Sequence, residues 1–118
     1  MRLADVEIEA RDGLVLARIV GEIDMSNADG LGALLAANVG NEALGLVVDL
    51  SETQYIDSAG IRVLYELRQR LKDRRQRLAL VVPPGSATER TLRLVNADHA
   101  LGIVESADAA TATITEQD

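Results

Sequence analysis

Leu44-Gly45-Leu46-Val47-Val48-Asp49-Leu50 decides the architecture of this chain. The run is too short and too uniformly apolar for a helix with one wet face. It reads instead as a strand buried on both faces, the centre of a sheet. Upstream, Val6 and Ile8 alternate with Asp5, Glu7 and Glu9, and the apolar stretch from Leu14 to Val20 follows across Arg11-Asp12-Gly13. Two such runs joined by an Asp-Gly turn predict an antiparallel hairpin. Between the hairpin and the central strand, Ser26 with Asp29 three residues on marks a helix start. Ala28, Leu31, Leu34, Leu35 and Val39 then recur at helical spacing, and the helix is expected to end near Gly40.

Downstream, Ser51-Glu52-Thr53-Gln54 reads as a polar connection to Asp57-Ser58-Ala59-Gly60. Val63, Leu64, Leu67 and Leu71 then mark a helix whose opposite face carries Arg68, Arg70, Lys72, Asp73 and Arg74, with the basic residues near its end as the helix dipole prefers. Leu78 to Val82 predicts a fourth strand stopped by Pro83-Pro84-Gly85. Ser86 and Glu89 have capping-box spacing for a third helix carrying Leu92 and Val95. Ile103 and Val104 form a short fifth strand, and the Ala- and Thr-rich segment from Ser106 to Ile114 a last amphipathic helix. Strands alternating with helices predict an α/β layer structure, and 118 residues without repeat or linker predict one domain over 1–118.

Composition excludes several kinds of chemistry. There is no Cys and a single His, His99, so a disulfide framework, a thiolate metal site and a Cys nucleophile are all missing, and no metal or other cofactor is expected. The net charge of −7, from 19 acidic against 12 basic residues, repels phosphate backbones and anionic lipid on average, so neither nucleic acid nor membrane is expected as a partner. Tyr55 and Tyr65 are the only aromatics, which leaves the core aliphatic and provides no platform for stacking bases. No apolar run is long enough to span a bilayer and the first residues lack a secretory pattern, so the cytoplasm is the expected location. Without a heptad run or large apolar stripe, the free protein is expected to be a monomer.

The chemistry-bearing stretch is Asp57-Ser58-Ala59-Gly60, where a loop leaves the sheet and a helix begins. The Ser58 hydroxyl and the first helical amides face one solvent-side spot that favours an anion. The residues alone leave a second reading open: Asp57 or Ser58 caps the helix, and Gly60 lets the helix start approach a neighbouring strand. His99 reads as a residue of a polar turn with no acid or base motif around it, so a hydrolytic triad is not supported.

Gly21-Glu22-Ile23-Asp24, Val47-Val48-Asp49-Leu50-Ser51 and Tyr55-Ile56-Asp57-Ser58-Ala59-Gly60-Ile61 together resemble the STAS family, and more narrowly its bacterial anti-sigma factor antagonists. Val81-Val82-Pro83-Pro84 and the segment from Leu94 to Ile103 fall in the same order as in that family. The resemblance implies a STAS fold, a mostly parallel mixed sheet of about five strands opening on the hairpin, with about four helices. It implies a regulator that is not an enzyme. Ser58 takes the place of a serine phosphorylated by a partner that is both serine kinase and anti-sigma factor, and a PP2C-type phosphatase reverses the modification. The unphosphorylated form binds the kinase and frees a sigma factor. By the same resemblance Asp24, Ser26 and Asn27 border the site on one side, Ser51 and Thr53 on the other, and Asp57, Ala59, Gly60 and Arg62 complete the partner-binding set.

Arg62 departs from the pattern, since many relatives carry a small residue there. It is either an exposed helix arginine or a cation within reach of a phosphate on Ser58. Other readings remain. A receiver domain phosphorylated on Asp49 lacks the acidic residues after the first strand and the late lysine. Small-molecule sensing lacks a phosphate-binding loop. A constitutive STAS adaptor in a lipid-transport or signalling complex, without a phosphate cycle, is the principal alternative.

Overall fold

Two residues with positive φ, Asp12 at 54° and Gly13 at 83°, turn the chain between β1 (Asp5–Arg11) and β2 (Leu14–Ile23). That backbone matches the right-handed twist of the strands it joins, and the two pair antiparallel from Asp5↔Val20 to Arg11↔Leu14. The computed structural model describes residues 4–116. After the hairpin the elements run α1 (Ala28–Asn38), β3 (Gly45–Asp49), β4 (Thr53–Ile56), α2 (Ser58–Asp73), β5 (Arg77–Val81), α3 (Ala87–Leu94), α4 (Ala97–Leu101), β6 (Ile103–Val104) and α5 (Ala107–Thr115).

The result is an α/β fold with a mixed six-stranded sheet in the order β1-β2-β3-β5-β6, with β4 joined to β2 off that path. Apart from the hairpin every pairing is parallel. The expected central strand lies there, between β2 and β5, and its pleat divides the core. Leu46 and Val48 join Val15, Ala17, Ile19 and Leu80 beneath α1, α2, α3 and α4, while Val47 points the other way with Leu14, Ala79 and Val81. Ala110 and Ile114 of α5 cover that second face.

The structure differs from the sequence reading in several places, among them Val95, expected on the third helix and found as its half-exposed C-cap. Thr53 and Gln54, expected in a connection, begin strand β4, which pairs with the end of β2 at Glu22↔Tyr55 and Ile23↔Ile56. His99, expected in a turn, lies on the short helix α4 with a side chain 93% exposed. The first helix begins at Ala28 with Asn27 in the capping position, so Ser26 is not its cap. Leu34, expected to face the core, is 44% exposed, because α1 buries the stripe Ala28, Leu31 and Leu35.

Candidate functional site

Parallel pairing of β2 with β4 puts the ends of both strands, Ile23 and Ile56, side by side. The next residues, Asp24 and Asp57, therefore open two neighbouring loops, each leading into a helix. The Asp57 amide donates to the Ile23 carbonyl at 3.2 Å and joins them. This is the carboxyl edge of a parallel pair, where two helix N-termini turn amides toward solvent. The polar strand β4, invisible in the apolar pattern, is what brings the two loops together.

Asp57 organises the edge. Its backbone is extended, φ −105° and ψ −173°, which aims the carboxylate back along the first turn of α2. Oδ1 accepts from the amides of Ala59 at 2.9 Å and Gly60 at 3.1 Å, and Oδ2 accepts from the Met25 amide in the neighbouring loop at 3.2 Å. The choice left open by the sequence is thus settled: Asp57 is the cap. Ser58, first residue of the helix, is exposed, and its hydroxyl has no hydrogen bond among the described residues. Gly60 is buried because a Cβ there would stand 2.7 Å from Ile56 Cγ1 and 2.8 Å from Ile23 Cγ2. The close approach of helix to strands requires glycine, and Ala59 packs partly buried beside it.

The Asp24 loop is held by its own side chains. Asp24 Oδ1 accepts from the Ser26 amide at 2.9 Å and from the Ser26 hydroxyl at 2.5 Å. The Asn27 side chain accepts from the Asp24 amide at 3.0 Å and donates to the Glu22 carbonyl at 2.8 Å. The Ser26 hydroxyl and then its amide hold the Asp24 carboxyl below the ordinary carboxylate range. In this loop Met25, whose amide meets Asp57, is 83% exposed, an apolar side chain that the sequence reading passed over. Its placement between a strand end and a helix start was the available signal.

The remaining expected site residues have partners of their own. Thr53 is inside the fold: its hydroxyl donates to the Ile19 carbonyl at 2.8 Å, and its own carbonyl accepts from Thr88 Oγ1 at 3.0 Å. That hydroxyl is committed to holding β4 against β2, which corrects its expected place on the partner surface. Ser51 is exposed in the turn after β3, its amide bonded to Asp49 Oδ1 at 2.9 Å rather than to the Asp24 and Asp57 loops. Arg62, one turn beyond Ser58, is engaged by Asp29 of α1 at 2.9 Å and Glu66 at 3.0 Å. The bond to Asp29, then that to Glu66, pushes the guanidinium pKa up from its ordinary value. Among the described residues no group of three or more His, Cys, Asp or Glu could hold a metal ion, and no helix is long and apolar enough to cross a membrane.

The mixed sheet with its leading hairpin and the Asp-capped helix beside β2 define an α/β domain of STAS architecture. A sequence model of the STAS domain matches residues 5–110, and the chain belongs to that family. It is similar to BtrV of Bordetella bronchiseptica, a candidate anti-sigma factor antagonist, with 36% identity over 69 residues, 58% of this chain and only 60% of that protein's length. It is also similar to RsfB of Mycobacterium tuberculosis, an anti-sigma-F factor antagonist, with 29% identity over 94 residues, 79% of this chain and 75% of that protein. The crystal structure of an anti-sigma factor antagonist from Mycobacterium paratuberculosis superposes with a TM-score of 0.83, covering 95% of this chain and 94% of that one. At 24% identity that likeness is one of fold.

Proposed function

We propose that this chain is an anti-sigma factor antagonist switched by phosphorylation of Ser58. The observation that carries the reading is the division of labour at the start of α2: Asp57 supplies the cap, which leaves the exposed Ser58 hydroxyl free for a kinase. In the unphosphorylated state the edge formed by Asp24, Met25, Ser26, Asn27, Asp57 and Ser58 binds an anti-sigma factor serine kinase, and a sigma factor is freed. Phosphate on Ser58 ends that binding, and a PP2C-type phosphatase restores it. The domain acts through binding, without catalysis of its own.

Phosphate brings about −1.5 to −2 charges at neutral pH. The α2 dipole favours an anion there by about 0.3–1 kcal/mol, and the nearby Asp57 carboxylate opposes it. The two effects are small and of opposite sign, so the fold tolerates the modification. An interface does not: losing about 2.8 kcal/mol weakens binding roughly a hundredfold. Control therefore acts on the surface and leaves the fold alone.

The test is incubation with ATP and an active anti-sigma factor kinase, followed by mapping of the modification by mass spectrometry. Phosphate on Ser58 is expected; phosphate only elsewhere, or none, overturns the reading. In pull-downs with the same kinase Ser58→Ala is expected to stay bound when ATP is added and Ser58→Asp to bind poorly. Both variants should melt within about 4 °C of the parent, less than about 1 kcal/mol. Retention of the parent regardless of ATP would identify a constitutive adaptor instead.

A further inference from the structure

Toward the far end of α2 from Ser58, a cleft of about 530 Å³ lies between the C-terminal half of that helix, the turn into β5 and the turn from α4 into β6. Arg68, Lys72, Arg75, Arg77 and His99 line it, and no Asp or Glu does. Four of the chain's 12 Lys and Arg residues thus gather in one concavity of a protein whose net charge is −7.

Elsewhere four arginines are matched with acids: Arg11 with Glu9, Arg18 with Glu7 and Glu52, Arg62 with Asp29 and Glu66, Arg93 with Glu89 and Asp98. Arg70, Arg74 and Arg90 make no ion pair among the described residues but do not share a concavity. Arg68, Lys72, Arg75 and Arg77 make no ion pair among the described residues. Arg77 reaches the Thr113 carbonyl at 3.4 Å, and His99 stands 3.9 Å from Asp98. Like charges left together without counter-charge repel one another, a cost the sequence could have avoided. Interaction with the helix dipole accounts for a cation at the end of α2, such as Lys72 or Arg75, but not for Arg77 on β5.

Arg75 supplies an independent observation. Its φ of 62° is the left-handed conformation that glycine adopts freely at a helix end and an L side chain adopts at a cost. Glycine would finish α2 more easily. Arginine at this position places a guanidinium-bearing side chain on the cleft wall at the expense of the backbone.

We propose that this cleft binds a soluble small molecule bearing two or more adjacent phosphate groups. Guanidinium groups meet phosphate oxygens as bidentate forks, Lys72 adds a compact charge, and the volume suits a small ligand. No Phe, Tyr or Trp lines the cleft, so recognition rests chiefly on charge spacing rather than on stacking of a base. Lys72 is about 21 Å along α2 from Ser58 at a rise of about 1.5 Å per residue, so the site stands whether or not Ser58 is a phosphoacceptor.

Calorimetric titration of the full chain with inorganic tripolyphosphate at about 50 mM salt tests the site. Saturable binding is expected, weakening as salt is raised to about 200 mM. Arg75→Gly is expected to weaken binding about fivefold or more while melting at or above the parent temperature, a pair of effects that a purely structural arginine would not give. Arg68→Ala combined with Lys72→Ala should abolish binding, and Arg11→Ala, outside the cleft, should leave it unchanged. Failure of the parent to bind, equal binding by the cleft variants, or an equal loss in Arg11→Ala overturns the proposal. Sedimentation with phosphatidylglycerol vesicles without any binding of tripolyphosphate overturns it in favour of a lipid headgroup.

Discussion

Asp57 ties two chain segments with two oxygens, the first turn of α2 through Oδ1 and the Met25 amide through Oδ2. Asp57→Ala removes both, and a lost N-cap alone costs about 0.5–2 kcal/mol. Urea denaturation should give a loss of about 1–2 kcal/mol for Asp57→Ala. Asp57→Asn should fall between, because its amide oxygen still caps while its NH2 group meets the Met25 N–H as donor against donor. Asp24 provides a pH-dependent counterpart. Its folded pKa lies below the unfolded value of about 3.9, so its contribution to stability is present above that pH and is lost as pH falls through the folded value. Ser26→Ala deletes the principal cause, and NMR titration of the Asp24 carboxyl should then give a midpoint closer to the ordinary one. An unmoved midpoint would count against the hydroxyl bond. At this scale the sequence revealed the motif but not its allotment. Asp57 and Ser58 are both competent caps, and the extended backbone at Asp57 decides between them. The partner of Arg62 was equally hidden, since Asp29 lies on another helix and touches it only once α1 and α2 have packed.

Among the elements, glycines mark where strands and helices meet too closely for a side chain. Replacing glycine by alanine in a helix or strand with room to spare stabilises by about 0.4–1 kcal/mol. Here the sign reverses. A Cβ on Gly45 of β3 would lie 2.3 Å from the Arg77 carbonyl oxygen, and no rotamer change relieves a clash with backbone. Gly60→Ala meets only side-chain carbons of Ile23 and Ile56, which have some freedom to shift. Denaturation should show Gly60→Ala destabilised by about 1–3 kcal/mol and Gly45→Ala by more. Legibility at this level followed periodicity. The hairpin and α2 carried regular apolar spacing, the central strand an unbroken apolar run, and all three were readable. Strand β4 was not, because Gln54 and Tyr55 are exposed and only Thr53 and Ile56 are buried, so its strand character comes from pairing with the remote β2. The five residues of α4 were likewise too few to set up a helical pattern.

Over the whole molecule the sheet is buried unevenly, with four helices packed in the core on one face and α5 supplying the buried helical side chains on the other. A nine-residue helix rich in Ala and Thr thus carries the cover of Leu14, Val47, Ala79 and Val81. Ile114 is fully buried there, and Ile114→Ala should cost about 2–4 kcal/mol in chemical denaturation. A loss below about 1 kcal/mol would mean that α5 does not seal that face. The parting of β2, which pairs with β3 from Leu14 to Arg18 and with β4 from Gly21 to Ile23, also bears on the order of assembly. The β1–β2 hairpin closes through a local turn, whereas Leu14 must find Gly45 and Gly21 must find Thr53 across more than about thirty residues each, searches that are slow because loop closure precedes any reward. The edge bearing Ser58 needs the second of those distant pairings, so a newly made chain displays it only after its remote strands have met. An enzyme reading that edge would read, in the same act, that folding is complete.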